Sequence, residues 1–139
     1  MFLRVTDNIN YRSMKHSIVG LLAAILLLSP CKGFGETPSL EQISQARKMA
    51  GQGNAEAQLV LGSSYYLGEV VPKSDTEALK WFRRAAQQEN ADAQFSLGLM
   101  HYEGQGVPES DTEALKWFRL AAQQGFAKAQ AALKSLGEK

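Results

Sequence analysis

The sequence predicts an all-α protein: a solenoid of helix-turn-helix repeats, with two full 36-residue repeats and a half-repeat on either side. Residues 54–89 and 90–125 are copies of one unit and agree at 24 of 36 positions. Each copy holds two stretches of helical periodicity, separated by a loop that contains glycine and proline. A fixed period of this length indicates an array in which each unit buries its apolar face against its neighbours.

The first helical stretch of each copy has the pattern of a helix packed closely on another. Ala57, Leu61 and Tyr65 lie at i, i+4 and i+8 and share one face. Gly62 lies beside them. Because glycine costs a helix about 1 kcal/mol relative to alanine, we expect the backbone of a neighbouring helix to approach closely there. The equivalent residues of the second copy are Ala93, Leu97, Gly98 and His101.

The ends of these first helices are marked in both copies. Asn54 and Asn90 precede them, where an asparagine side chain accepts from amides of the first turn. Gly68 and Gly104 follow them, where a left-handed residue ends a helix at little cost. We therefore expect two first helices of equal length.

The second helix of each copy begins at a serine. Residues 74–77 and 110–113 both match the capping box, in which serine accepts from the third amide and glutamate bonds back. An apolar stripe of aromatic residues and alanines follows, typical of a packed helical hairpin, and we expect its tryptophans to lie in the core. Its members are Ala78, Trp81, Phe82, Ala85 and Ala86, then Ala114, Trp117, Phe118, Ala121 and Ala122.

The repeat extends beyond the two copies by one helix on each side. Residues 39–52 align with the second helix of a unit and predict a helix capped by Ser39. Residues 126–136 align with the first helix of a unit. Residues 36–139 thus form one predicted domain of six helices, with half-repeats as its caps.

The spacing Ala-x3-Leu-Gly-x2-Tyr-x2-Gly-x-Gly-Val, followed by Ala-x2-Trp-x3-Ala-Ala-x2-Gly, resembles the Sel-one-like repeat family, a relative of the tetratricopeptide repeats. The matching residues are Ala57, Leu61, Gly62, Tyr65, Gly68, Val71, Ala78, Trp81, Ala85 and Ala86, then Ala93, Leu97, Gly98, Gly104, Gly106, Val107, Ala114, Trp117, Ala121, Ala122 and Gly125. The resemblance implies a right-handed α-superhelix that serves as a scaffold for protein–protein interaction. Bacterial members of the family are often exported.

Three positions depart from the family pattern. Val70 replaces a loop glycine, so we expect the first loop to differ from the second. Glu89 replaces the terminal glycine, so we expect the first unit to end either by relying on Asn90 or in a looser turn. His101 replaces the tyrosine and is interpreted as a partly buried filler with one hydrogen bond.

Residues 1–35 predict an N-terminal extension and a cleaved signal peptide. Residues 18–28 are an uncharged apolar run of 11 residues, whereas a membrane-spanning helix needs about 20. Met14 is an alternative start directly before this run, and cleavage before Glu36 would follow small residues. The protein is therefore expected to be exported, to the periplasm or the medium, and to meet the membrane only transiently.

Cys31 is the single cysteine, so no intrachain disulfide can form. Residues 28–31 resemble the bacterial lipoprotein box apart from Pro30. A lipid anchor on Cys31 is therefore the alternative to a cysteine discarded with the signal peptide.

The composition argues against nucleic acid and against known catalytic sites. From Glu36 onward the chain has 11 basic and 13 acidic residues, spread along the helices, whereas a nucleic-acid partner would require a basic face. The cations of the second helices, such as Arg83, Arg84 and Arg119, are interpreted as a solvated face. One histidine without cysteine cannot form the usual zinc site. No nucleophile motif or phosphate loop is present, so no catalytic, metal or cofactor residue is predicted.

The sequence therefore predicts an exported scaffold that binds another protein or peptide. The alternative is a cell-wall-active or β-lactam-binding or -hydrolysing enzyme, as among cysteine-rich relatives of the family. The candidate partner-binding face lies on the first helices, opposite the core stripe: Leu59, Ser63, Tyr66, Phe95, Leu99 and Tyr102. These residues either form a peptide groove or pack against the adjacent first helices. The half-repeats also leave apolar ends that would support self-association.

Overall fold

The computed structural model describes residues 38–137 and shows six helices among them, in the order that the repeats predict. The helices are α1 (Leu40–Gly51), α2 (Ala55–Leu67), α3 (Asp75–Gln87), α4 (Ala91–Glu103), α5 (Asp111–Gln123) and α6 (Ala127–Ser135). Each helix packs on the helices before and after it, and residues 38–137 contain no strand. Thus α2–α3 and α4–α5 are the two full hairpins, and α1 and α6 are the half-repeats. The predicted α-solenoid is confirmed.

The extension, the signal peptide and Cys31 lie outside the described residues, so those predictions stand as they were made. Within residues 38–137, no helix combines the length and the apolar character that crossing a membrane requires.

The first helices begin and end as the sequence indicates. The side chains of Asn54 and Asn90 accept from the amide three residues further on, at 2.8 and 2.9 Å. Gly68 and Gly104 take the left-handed conformation, with φ of 70° and 65°, and so end α2 and α4. These local signals operate independently of the rest of the fold.

The predicted capping boxes of the second helices are only half formed. Ser74 Oγ accepts from the amide of Glu77 at 3.3 Å, but the Glu77 carboxylate pairs with Lys80 one turn on, at 3.4 Å. The second copy shows the same arrangement. A full capping box forms instead at α1, between Ser39 and Gln42. The Ser39 amide donates to Gln42 Oε1 at 2.7 Å, whereas the Ser74 amide donates to Tyr65 O at 2.9 Å and so does not bond to a glutamate.

The end of the first full repeat corrects one expectation. Glu89 does not leave a looser turn, because it adopts the left-handed conformation itself, with φ of 62°. Its amide donates to Ala86 O at 3.1 Å and the next amide donates to Ala85 O at 3.2 Å. Gly125 has the same geometry in the second copy. A non-glycine residue in this conformation costs about 1–2 kcal/mol, which the stacked neighbours must offset.

The two loops differ, as the replacement of a loop glycine by Val70 predicts. Among the described residues Glu89 is the one non-glycine residue with positive φ, whereas Gly106, at the position of Val70, has φ of 70°. A Cβ on Gly106 would lie 3.0 Å from the carbonyl oxygen of Asp75. The second loop therefore lies directly on the start of α3, and glycine permits that contact.

The helix glycines receive an aromatic ring, not a neighbouring backbone as expected. A Cβ on Gly62 would lie 2.5 Å from a ring carbon of Phe82, and Gly98 faces Phe118 in the same way. Both phenylalanines are fully buried. In each hairpin, a phenylalanine of the second helix thus packs directly over a glycine of the first helix and stabilises the pair.

A ladder of glutamine side chains joins successive repeats. Gln58 Nε2 donates to Ala50 O at 3.1 Å, and Gln58 Oε1 accepts from Gln88 Nε2 at 2.8 Å. The next repeat has the same pair of bonds, and α6 begins a third set. These bonds involve Gln94 with Ala86 and Gln124, and then Gln130 with Ala122. This glutamine ladder satisfies polar groups that the stacking of repeats buries.

Candidate partner-binding surface

Five of the six residues of the predicted partner-binding face lie in the interior. The buried five are Leu59, Ser63, Tyr66, Phe95 and Leu99, each no more than 5% exposed. Tyr102 is half-buried. Of the two alternatives left open by the sequence, this burial favours packing inside the array over an open peptide groove.

Phe95 shows the physical reason for this burial. Its ring lies 5.4 Å, centroid to centroid, from both Phe118 and Phe126. It therefore connects α4 with its hairpin partner α5 and with the residue that precedes α6. Tilted aromatic pairs of this kind add to the free energy gained from burial alone.

Tyr66 connects the two repeats through its hydroxyl, while its ring packs inside its own repeat. The ring lies 6.4 Å from that of Phe82, and Oη donates to Glu103 Oε2 at 2.9 Å. Gln105 donates to the same carboxylate oxygen at 2.7 Å. Burial, followed by the Glu103 charge and this hydrogen bond, raises the pKa of Tyr66, so its hydroxyl stays protonated and donates. The predicted face is thus a joint between repeats.

The exposed surface with the most charge lies instead on the second helices. The acidic residues of both helices stand in the first turn, and α3 has Arg84 in its last turn, which agrees with the helix dipole. We name the exposed cations of α1, α3 and α5 the basic stripe: Arg47, Lys48, Lys80, Arg83, Arg84, Lys116 and Arg119. Arg47, Arg83 and Arg119 are spaced 36 residues apart, so they occupy the same place in successive repeats.

The basic stripe differs between α3 and α5. On α3 the Arg84 guanidinium and the Lys80 ammonium lie 5.0 and 5.6 Å from the ring centroid of Trp81. On α5 the residue equivalent to Arg84 is Leu120, which is 44% exposed, and Trp117 is only half-buried. The prediction of a core tryptophan is confirmed for Trp81 and wrong for Trp117.

His101 lies half-buried at the end of α4. Its Nδ1 is buried and has no hydrogen-bond partner among the described residues, so the expected bond is not made at that atom. Burial lowers the pKa of His101, and nearby Arg83 lowers it further against the opposing effect of Glu113. At the equivalent position in the first repeat, the Tyr65 hydroxyl accepts from Arg47 at 3.0 Å.

Residues 38–137 contain no group of three or more His, Cys, Asp or Glu side chains placed to hold a metal ion. The acidic side chains of the second helices instead pair with nearby lysines, as Lys73 does with Asp75 at 3.3 Å. What the described surface offers chemically is charge and aromatic contact.

Comparison with known proteins agrees with this architecture. The family model of the Sel1 repeat matches residues 55–90 and 91–126, one residue later than the units defined from the sequence. A search among curated proteins found no match. Three solved structures show the same fold.

The first is c5321, a protective antigen of uropathogenic Escherichia coli that displays an SLR fold (TM-score 0.64, 41% identity, covering 66% of this chain and 20% of that one). The second is a Sel1 repeat protein from Oxalobacter formigenes (TM-score 0.66, 33% identity, covering 86% and 46%). The third is cysteine rich protein B of Helicobacter pylori (TM-score 0.67, 21% identity, covering 93% and 98%).

This chain spans a fifth of the first of these proteins and less than half of the second. The third, at 21% identity, bears on the fold alone. Both copies of the repeat match the family model, and together they make up more than half of the sequence. The chain belongs to the Sel1 repeat family.

Proposed function

We propose that this chain is an exported protein–protein interaction scaffold that acts in the bacterial cell envelope or outside the cell. The observation that carries the proposal is the pair of Sel1 repeats, because repeats of this family generally mediate contacts between proteins. Export is inferred from the basic and apolar pattern of residues 1–35.

The basic stripe is the surface that we assign to the partner. Its cations are exposed and recur in three successive second helices, whereas the apolar stripe of the first helices is buried. Lys80 and Lys116 pair with glutamates of their own helices. The remaining cations of the stripe form a row of like charges, which complements a protein segment rich in carboxylates. Such charges accelerate association and make it sensitive to salt.

The centre of this surface is on α3. Arg84 is held over the Trp81 ring, so its guanidinium is partly ordered before a partner binds. Guanidinium groups bind carboxylates through two parallel hydrogen bonds, and arginine is enriched among the residues that dominate binding energy. We therefore expect Arg83 and Arg84 to contribute most to partner binding.

Capture from envelope extract tests this assignment. The chain with Arg83→Gln and Arg84→Gln is expected to lose a partner that the unaltered chain captures by crosslinking. The matched control carries Lys73→Gln and Lys128→Gln, which remove the same charge outside the basic stripe and are expected to retain the partner. Equal capture by both variants would reject the basic stripe as the binding surface.

Cell fractionation tests the export proposal. The expected product is a processed chain beginning at Glu36, recovered from the periplasm or the medium and identified by its intact mass. A full-length chain retained in the cytoplasm would contradict export. Labelled lipid in the protein, abolished by Cys31→Ser, would establish the anchored alternative.

Nitrocefin turnover and penicillin labelling test the enzyme alternative. The scaffold proposal expects neither above the level of a blank. Turnover by the purified chain that survives further purification would replace the scaffold with an enzyme.

A further inference from the structure

We propose that copies of this chain join head to tail, with α1 of one copy completing the hairpin that α6 of another copy begins. This interface is distinct from the basic stripe, and the proposal does not depend on the identity of a partner. It rests on the order of the helices, on their burial, and on the residues that replace the hairpin glycine and phenylalanine in α6 and α1.

The order of the helices permits the joint. Helices α1, α3 and α5 are of the second type, and α2, α4 and α6 are of the first type. Placing α1 of a second copy after α6 therefore continues the alternation without an extra or a missing helix. The contacts needed are those that α4 makes with α5 inside the chain.

Burial is uneven on the face of α1 that the joint would cover: Ala46 is only 9% exposed, and the residues one turn on either side are more exposed. Met49 is 38% exposed, whereas Ala85 and Ala121, at the same repeat position, are 0% exposed. Gln42 is exposed, whereas its equivalents Ala78 and Ala114 are buried. Within a full hairpin, this face of the second helix packs against the first helix of its own repeat.

Burial is incomplete at the other end as well. Leu115, Trp117 and Ala122 on α5 are half-buried, although their equivalents in α3 are buried. Helix α3 is followed by a complete repeat among the described residues, whereas α5 is followed by α6. These three side chains therefore mark the surface that a further second helix would cover.

The most specific argument is an exchange of large and small residues. Inside each full hairpin the first helix carries glycine and the second carries phenylalanine, as in Gly98 with Phe118. At the same repeat positions α6 carries Lys134 and α1 carries Ala46. A phenylalanine could not insert over Lys134. Ala46 is only 9% exposed, but an alanine is small enough for the aliphatic part of the lysine side chain to lie against it while the ammonium reaches solvent. The two half-repeats are thus complementary to each other.

The glutamine ladder continues across the same joint. Gln130 on α6 already donates to Ala122 O at 3.4 Å, as Gln94 does to Ala86 O. Inside the chain, each ladder glutamine of a first helix accepts a hydrogen bond from a glutamine at the end of the following second helix, as Gln58 does from Gln88. The residue 36 positions earlier is Gln52, at the end of α1. Gln52 of the incoming copy would therefore donate to Gln130.

The geometry also determines how assembly proceeds. The two contacting surfaces are different, so each added copy presents a fresh surface at its far end. Assembly should therefore continue past the dimer as concentration rises. It would also extend the basic stripe from one copy to the next.

Sedimentation velocity over a concentration series tests the proposal. Residues 36–139 are used because all six helices belong to one compact unit. The expected result is a sedimentation coefficient that rises steadily with concentration and passes that of a dimer. A chain that remains monomeric, or that stops at a dimer, would overturn head-to-tail joining.

Two substitutions test the register. Ala46→Phe should weaken association about tenfold or more, because the ring would meet Lys134 of the other copy. Adding Lys134→Gly to that variant restores the inner Phe–Gly pair and should recover association. Failure of the double variant to recover, in a chain that melts normally, would reject this register.

A matched control places the same aromatic side chain elsewhere on α1. Ser44 is exposed and is equivalent to Lys80 on the outer face. Ser44→Phe should leave association unchanged, and equal weakening by both phenylalanines would contradict the proposal. Thermal melting of each single variant confirms that the monomer still folds.

Discussion

Helices α3 and α5 have nearly the same sequence and very different surroundings. They differ at one position of 13, where Arg84 is replaced by Leu120. Both begin at a serine cap and both insert a phenylalanine over a glycine. Yet α3 has six buried residues and α5 has three. Burial in this chain is therefore decided by the neighbouring helix and not by the residue.

The difference follows from the way that solenoids are stabilised. Each repeat contributes its own free energy of folding and a further amount for each interface with a neighbour. Helix α3 has a complete repeat after it, and α5 has the single helix α6. Substitutions at matched positions should therefore separate the hairpin contribution from the stacking contribution.

The largest expected effect is one that the two helices share. Phe82→Ala and Phe118→Ala should each reduce the free energy of unfolding by about 3–5 kcal/mol, because both rings are fully buried over a glycine. Urea unfolding followed by circular dichroism measures both. A cost for Phe118 less than half of that for Phe82 would show that the hairpins are not equivalent inside.

The tryptophans should separate the two helices. Trp81→Ala is expected to reduce the free energy of unfolding by about 3 kcal/mol, because Trp81 is 9% exposed. Trp117 is half-buried, so Trp117→Ala should reduce it by about 1 kcal/mol less than that, or by a smaller amount still. Urea unfolding again gives the cost.

Fluorescence provides an independent test of the same contrast. Acrylamide should quench the protein that retains only Trp117 more strongly than the one that retains only Trp81. The two single-tryptophan proteins carry Trp81→Phe and Trp117→Phe. Equal quenching would remove the comparison on which the stacking argument rests.

Substitutions in the glutamine ladder should also cost more stability inside the array than at its last helix, but the difference should be smaller than for the tryptophans. Gln58 is buried with bonds to Ala50 and Gln88, so Gln58→Ala should cost about 1–3 kcal/mol. Gln130 is exposed, so Gln130→Ala should cost no more than about 0.5 kcal/mol. Both are measured as shifts of the melting temperature at a protein concentration where the chain is monomeric. Equal shifts would mean that the ladder does not stabilise stacking.

The smallest expected effect is a dependence on pH confined to the second repeat. Burial lowers the pKa of His101 below its usual value of 6.5, so the unfolded chain binds the proton more readily. Stability should therefore be complete above pH 6.5 and should fall as the pH decreases through the folded pKa.

Replacement by the residue of the first repeat tests this assignment. His101→Tyr should remove the part of the pH dependence that lies between the two pKa values, as measured by urea unfolding from pH 7.5 downward. An unchanged pH profile would assign the effect to other groups.

Much of the fold could be predicted because its signals are local and are present twice. Asparagine caps, left-handed glycines and serine caps act within one turn, so a duplicated pattern places six helices correctly. The glutamate arms of the capping boxes were predicted wrongly because the amides of Ser74 and Ser110 donate to carbonyls of the preceding helices instead. Glu89 was misjudged because a glutamate can itself adopt the left-handed conformation there, which lets two successive amides donate to Ala86 O and Ala85 O.

The candidate binding face shows what sequence reasoning leaves open. The spacing of Leu59, Phe95 and Leu99 correctly placed them on one side of their helices, yet that side is interior. Periodicity assigns a residue to a face but does not tell what covers that face. A usable signal was present elsewhere, in glutamines repeated every 36 residues within apolar helices. Buried amides at fixed spacing indicate a joint between repeats.

The amino-acid sequence alone determined the repeat, the helix boundaries and the absence of an intrachain disulfide, since each depends on residue types and their spacing along the chain. Only the tertiary structure decided which tryptophan is buried, that a phenylalanine ring packs over the glycine of each first helix, and that the candidate binding face is interior. The physical reason is that hydrogen-bonded caps involve neighbours in sequence, whereas burial is a property of the surfaces that stacking brings together.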